Sequence, residues 1–239
     1  MANTHSIDLE ASSTQYLSIA DVSQTGLDLT TSDFTMEMWI KTESDPGASY
    51  FGLIGKKASS ASGGGYRWIW GSSTERFELI VGNGTGDTGV NMNQSLSIGT
   101  WYHVVWTYQA SDGATEIWLA TQGGSHSSVG TDTLETGGCA DSSAIFSIGY
   151  DARAGFYPFD GLIDEVRIWN DIRTEAELND NFELELVGDE AGLVSYWKLN
   201  NSLVDENANA NNLTNNNSAT FSTNVPFGTS TSKGRVIFI

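Results

Sequence analysis

The sequence predicts an all-β sandwich of two antiparallel sheets with one short helix, and three observations predict it. Short runs rich in β-branched and aromatic residues, separated by Gly, Ser, Asn and Asp, recur through residue 170. The clearest, residues 34–41 (FTMEMWIK), alternates strictly. Phe34, Met36, Met38 and Ile40 fall on one face, and Thr35, Glu37, Trp39 and Lys41 on the other. Proline is scarce, and none interrupts a confident run, so ladder hydrogen bonds are not broken.

Residues 101–108 (WYHVVWTY) are apolar or aromatic on both faces, as expected of a central strand buried between layers. Further strands are expected at 15–19, 50–56, 66–70, 77–81, 115–120, 145–149 and 162–169, then at 196–199, with a closing segment from Phe221. In residues 161–169 (GLIDEVRIW), alternation sends Ile163, Glu165, Arg167 and Trp169 to one face. It sends Asp164, Val166 and Ile168 to the other. A buried indole needs its N–H satisfied, and Trp39, Trp101 and Trp169 are expected to find backbone partners. The helix is expected at 174–184 (TEAELNDNFEL), where Thr174 and Glu177 have capping-box spacing and Leu178, Phe182 and Leu186 form a buried stripe. The Asn-rich stretch 200–217 reads as turns, because Asn tolerates left-handed backbone. One domain is expected over residues 1–228, followed by a tail, 229–239, without a clear role.

The 239 residues are enough to bury about 70% of the surface an unfolded chain exposes, without disulfide staples. Cys139 is alone and reads as a small semi-buried residue rather than a nucleophile. Thirty acidic residues against eleven basic ones give a formal charge of −19. That charge repels phosphate backbones and anionic lipid, so nucleic acid is excluded as a partner class. It leaves carboxylates for hard cations, although most are expected to form a solvated surface. No apolar run is long enough to cross a bilayer, and the amino end has no signal-peptide pattern. A module of a longer secreted or surface protein is therefore the expectation.

Four segments carry a family resemblance: Asp33–Lys41 (DFTMEMWIK), Gly99–Val104 (GTWYHV), Phe159–Trp169 (FDGLIDEVRIW) and Tyr196–Leu199 (YWKL). In this order and at these separations the chain resembles the laminin G-like domains of the concanavalin A-like lectin and glucanase superfamily, from about residue 7 to residue 227. The resemblance implies a jelly-roll sandwich. It departs after Asp112–Gly113, where EIWLATQGG replaces a strand that usually ends in Asn-Gly, so that hairpin is altered.

Sugar binding commonly combines aromatic faces, which stack on a pyranose, with a few polar groups fixing hydroxyls. In GYRWIW (65–70), Tyr66, Trp68 and Trp70 share one strand face. Facing solvent, they form a polysaccharide platform; facing inward, they are core, where Trp is usually found. The loop 150–160 (YDARAGFYPFD) is the second candidate, with Asp151, Arg153, Phe156 and Tyr157 between two framework strands. Its position resembles the calcium-binding loop of pentraxins, with Asp151 as the matching acidic residue. The other pentraxin ligand loop would fall near residues 58–65, which carry no carboxylate, so a double calcium site is not expected. A single Ca²⁺ stays open, with Asp151, Asp164, Asp205 and Asn207 as candidate ligands and ordinary turn chemistry as the alternative. No zinc signature exists; His5, His103 and His126 are scattered, and His103 is expected in a hydrogen-bonded core role. Nothing calls for an organic cofactor.

Catalysis is the competing class, since glucanases share the implied fold. Retaining glycosidases need two carboxyl groups about 5–5.5 Å apart. The acidic runs IDEVR (163–167) and ELELVGDE (183–190) do not match the glucanase pattern, and no catalytic residue is assigned. The expected function is extracellular, non-catalytic glycan recognition. The alternative is adhesion to, or spacing from, another surface protein.

Overall fold

The computed structural model describes residues 2–30, 32–57, 63–151 and 157–228. In chain order the strands are β1 (Ser6–Leu9), β2 (Tyr16–Ile19), β3 (Phe34–Thr42), β4 (Tyr50–Lys57), β5 (Gly64–Gly71), β6 (Arg76–Asn83), β7 (Asp87–Asn93) and β8 (Tyr102–Tyr108). They continue with β9 (Ala114–Thr121), β10 (Ser127–Thr133), β11 (Phe146–Ile148), β12 (Gly161–Trp169), β13 (Leu193–Trp197), β14 (Thr214–Asn216) and β15 (Thr220–Ser222). The helix α1 (Glu175–Asn181) lies between β12 and β13.

Two antiparallel sheets face each other. The eight-stranded sheet runs β10-β9-β8-β3-β12-β1-β15, with β13 also paired to β12. The seven-stranded sheet runs β14-β2-β11-β4-β5-β6-β7. This is the expected jelly-roll sandwich. Phe34, Met36, Met38 and Ile40 point into the core as the alternation of β3 requires. From the facing sheet, Tyr66, Trp68, Phe77 and Leu79 meet them. Burying each such side chain contributes about 1.5–3 kcal/mol.

Alternation fails in β12. Ile163, Val166 and Ile168 enter the core, whereas Asp164, Glu165 and Arg167 are buried outside it. The expected grouping of Glu165 with Ile163 is therefore corrected. The cause is a β-bulge: Asp164 pairs with Trp39 and Arg167 with Glu37, so Glu165 and Val166 together oppose Met38. Glu165 takes a left-handed backbone (φ 51°) to make it.

The face of the eight-stranded sheet turned away from the core is covered over its middle strands, β3, β8 and β12. Thr174 and Glu177 form the expected capping box of α1, and Leu178 and Phe182 are buried. Phe182 stacks on Trp39 with ring centroids 5.6 Å apart, and its carbonyl accepts the Trp39 indole N–H at 2.8 Å. Trp169 instead donates to the Glu37 carboxylate at 2.9 Å, and Trp101 to the Asn224 side chain at 2.9 Å. Of the three indoles expected to use backbone partners, Trp39 does. Cys139 is buried, and burial pushes its thiol pKa up to about 12, which keeps it protonated. Among the described residues, no helix is long and apolar enough to cross a membrane.

Candidate functional site

Strand β5 decides where a site can form. Tyr66, Trp68 and Trp70 are almost fully buried. The Tyr66 hydroxyl donates to the Leu27 carbonyl at 2.7 Å, and the Trp70 indole to the Gln94 carbonyl at 2.8 Å. Trp68 packs 6.1 Å from Phe77 and 6.2 Å from Trp106, ring to ring. The reading of these three rings as a solvent-facing platform is thus corrected: they fill the space between the sheets. The intervening residue, Arg67, then points outward, because successive strand side chains take opposite faces.

Arg67 is the centre of the site. Its Nε lies 2.7 Å from the Asp151 carboxylate and its Nη2 3.3 Å from Glu78. Its guanidinium sits 5.8 Å from the centre of the Tyr157 ring, and the Tyr50 ring is 5.3 Å from Tyr157. Arg76 donates to the Tyr50 hydroxyl at 2.8 Å and lies 3.6 Å from Glu78. Asp151 and Tyr157, expected from the loop, are therefore brought together; Arg153 and Phe156 lie outside the described residues. Exposure rises outward: side-chain exposure is 4% for Asp151, 7% for Arg67, 19% for Glu78 and 28% for Arg76. Tyr50 and Tyr157 are half-buried.

Gly52 fixes the loop over this face. Its N–H donates to the Tyr157 carbonyl at 2.8 Å. A Cβ at this position would lie 2.4 Å from the Tyr150 carbonyl carbon and 2.5 Å from the Asp151 nitrogen. The loop backbone therefore crosses directly above a residue that has no side chain.

The remaining metal candidates lie elsewhere. Asp164 is fully buried and accepts from the Asn3 amide at 2.7 Å. Burial first, and the neighbouring Glu165 second, push its pKa well up. Asp205 accepts from the backbone N–H groups of Tyr196, Asn207 and Asn211 at 2.9, 2.9 and 3.0 Å. Asn207 donates to the carbonyls of Gly188 and Leu193. Both residues brace turns, which is the alternative weighed for them. Asp151, Asp164 and Asp205 do not gather into a ligand set. Among the described residues, the acidic group close enough to share an ion is Asp8, Glu10 and Glu43, with ligand atoms within 4.8 Å of one another. Burial and then Asp160 raise the Asp8 pKa; burial and then Asp8 raise that of Glu43. A hard cation would relieve that repulsion. The sequence hides this group because its members come from β1, the turn after it and the end of β3.

A second charged cluster is buried on the other sheet. His103 Nδ1 lies 2.8 Å from His126 Nε2, and His103 Nε2 lies 3.3 Å from Glu37. Arg167 donates to Glu165 at 2.9 Å and to the Leu184 carbonyl at 2.6 Å. His103 thus holds the hydrogen-bonded role expected of it, with His126 as a partner that sequence separation concealed.

These features define a concanavalin A-like sandwich with a polar, aromatic-flanked site on one outer face. The family model Laminin_G_3, of the concanavalin A-like lectin/glucanases superfamily, matches residues 11–179, and the chain belongs to that family. No curated protein matches the sequence. Among solved structures, a Bacteroides ovatus protein proposed to bind carbohydrate is similar, with 22% identity and a TM-score of 0.71. That match covers 95% of this chain and 62% of the other, so the chain spans less than two thirds of that relative's length. The CBM40 of a Ruminococcus gnavus IT-sialidase, bound to α2,3-sialyllactose, gives 13% identity and a TM-score of 0.55, covering 75% of this chain and 97% of that one. The enzymatically active domain of bacteriophage CBA120 tailspike protein 2 gives 18% identity and a TM-score of 0.55, covering 84% of this chain and 34% of that one. At these identities the likeness is one of fold.

Proposed function

We propose that this chain is a non-catalytic module that binds carbohydrate on the outer face of the seven-stranded sheet. The observation that carries the reading is the pair of half-buried rings, Tyr50 and Tyr157, beside a floor of fixed charge formed by Arg67, Asp151 and Glu78. Aromatic faces cover the apolar side of a pyranose, and charged groups that hold one another in place can orient its hydroxyls. The family and the carbohydrate-linked relatives support the same reading.

The fold itself does not decide against chemistry, since a tailspike enzyme shares it. The non-catalytic reading rests on Arg67. It engages both carboxylates beside the aromatic pair, whereas glycoside hydrolysis there needs one carboxyl group free to deliver a proton. The Asp164–Glu165 pair is fully buried. We place the module outside the cell or on its surface, within a longer protein. For calcium, Asp8, Glu10 and Glu43 are the candidate ligands.

A glycan and polysaccharide panel, run with calcium and with a chelator, tests the function. Binding that falls on the order of tenfold with Tyr157→Ala or Tyr50→Ala, in protein of unchanged fold, supports it; such a loss is about 1.4 kcal/mol, the scale of an aromatic contact. A folded protein that binds no glycan across the panel overturns it in favour of adhesion or spacing. A chelator that leaves both melting temperature and binding unchanged removes calcium from the account.

A further inference from the structure

The Tyr50 end of the site continues into a cleft. At the tip of the β5–β6 hairpin, Asp45, Ser72, Ser73, Thr74, Glu75 and Ser95 line a depression of about 480 Å³. Backbone pairing makes it the neighbour of the aromatic pair: Gly71 pairs with both Tyr50 and Arg76, and the Ser72 N–H donates to the Ser49 carbonyl at 2.6 Å. Ser72 thus follows the residue paired with Tyr50 and Arg76, and Glu75 directly precedes Arg76.

The lining is chemically uniform. It offers hydroxyls and two carboxylates, and none of the residues lining it is a cation. Ser72 and Thr74 share a hydrogen bond of 2.9 Å, and Asp45 accepts from the Gly47 N–H at 2.7 Å. Hydroxyl and carboxylate oxygens in a hydrated cleft suit a polyol, whose O–H groups both donate and accept. At the floor, Arg67 and Arg76 are matched by Asp151 and Glu78. An anionic sugar would have to share two guanidinium charges that Asp151 and Glu78 already balance. It would do so beside Asp45 and Glu75, within a chain of formal charge −19.

Resting on the carbohydrate reading above, we propose that this cleft is a second subsite and that the ligand is a neutral oligosaccharide. Its chain passes from the Tyr50–Tyr157 pair into the cleft, and sugars carrying a carboxylate are rejected.

The test is a calorimetric series of neutral oligosaccharides of increasing length, taken from whichever glycan class the panel identifies. A matched series carries a uronic or sialic acid at its end. Affinity should rise about tenfold once the chain reaches the cleft, the equivalent of one or two added hydrogen bonds. Ser73→Trp and Ser95→Trp should each erase that rise, since both residues line the cleft, are exposed and fill it when enlarged. The acidic series should bind more weakly, with the difference shrinking as salt screens it over about 8 Å at physiological strength. Binding without any gain from length, or a gain that survives both tryptophans, overturns the subsite and leaves the carbohydrate reading standing. Preferential binding of the acidic series overturns the charge selection. Failure of both series to bind overturns the reading beneath it.

Discussion

Both sheets carry charged side chains on the faces turned away from the shared core, and the two faces treat them in opposite ways. On the eight-stranded sheet, Glu37, His103, Glu165 and Arg167 are at most 2% exposed. The end of α1 and the segment after it supply what the sheet does not: Arg167 reaches the carbonyls of Asn181 and Leu184. On the seven-stranded sheet, Arg67, Glu78 and Arg76 grade from 7% to 28% exposed, beside the Tyr150–Asp151 backbone that passes over Gly52. A charged cluster under a covering segment is a brace, because its partners are all protein. The same residue types left at the border with water keep capacity for a ligand. Cover, rather than composition, separates the two.

The largest effect expected from that difference is on stability. Arg167→Ala leaves Glu37 and Glu165 buried without their cation, which costs about 3–5 kcal/mol. For a chain of this size that is a fall in Tm on the order of 10 °C. Arg76→Ala, on the open face, should cost less than about 1 kcal/mol, the range of exposed ion pairs. Urea or thermal denaturation checks both. Equal losses would break the comparison.

Next in size is the loop. Gly52→Ala forces a Cβ to within 2.4 Å of the Tyr150 backbone, so the loop must move, at about 1–3 kcal/mol for an overpacked contact. Glycan affinity should fall by more than the modest drop in Tm would suggest, because Asp151 and Tyr157 move with the loop. A Gly52→Ala protein that binds as well as the parent would show that the loop is not part of the site.

How much of this was legible follows the same division between covered and open. Long strands whose side chains fill the core announce themselves: the alternation of β3 and the double-sided apolar run of β8 appear where expected, whereas the four-residue β1, with Ile7 and Leu9 in the core, was not expected. The edge strands β7 (DTGVNMN), β10 (SSVGTDT) and β14 (TNN) do not announce themselves, because an edge strand is half solvated and its sequence reads as loop. The bulge in β12 breaks periodicity through one left-handed residue, Glu165, which alternation cannot foresee. In β5 the strand was evident and its facing was not. A period of two allows either set outward, and the size of Tyr66, Trp68 and Trp70 drew attention from Arg67 between them. The signal for Arg67 was present: a charged residue inside an aromatic run must leave the core or be paired. Its partners could not be read, since Glu78 and Asp151 reach it through pairing and loop geometry.

The smallest expected effect is the most specific to the covered face, and it is a dependence on pH. Burial first, and then the charge of His126, hold the His103 pKa well below the ordinary 6.5. The unfolded chain therefore takes up a proton below about pH 6.5 that the folded one refuses, and His103 costs stability as pH falls from there. Glu165 works in the other sense. Burial raises it from 4.5 to about 7, so its contribution is complete below 4.5 and is lost as pH rises through 7. Asp164, raised by the same burial, adds to that loss. His103→Asn should be less stable than the parent near neutrality, because it loses the contacts to His126 and Glu37. That gap should narrow as pH falls from 7 to 5, since only the parent then carries the protonation cost. For Glu165→Gln the gap should narrow as pH rises instead, since only the parent must then hold a buried carboxylate ionised. Opposite slopes in Tm against pH for the two variants are the signature of a charged network sealed from water. Slopes of the same sign would mean that one group exchanges protons freely with solvent, and that the covering segment is open where the geometry has it closed.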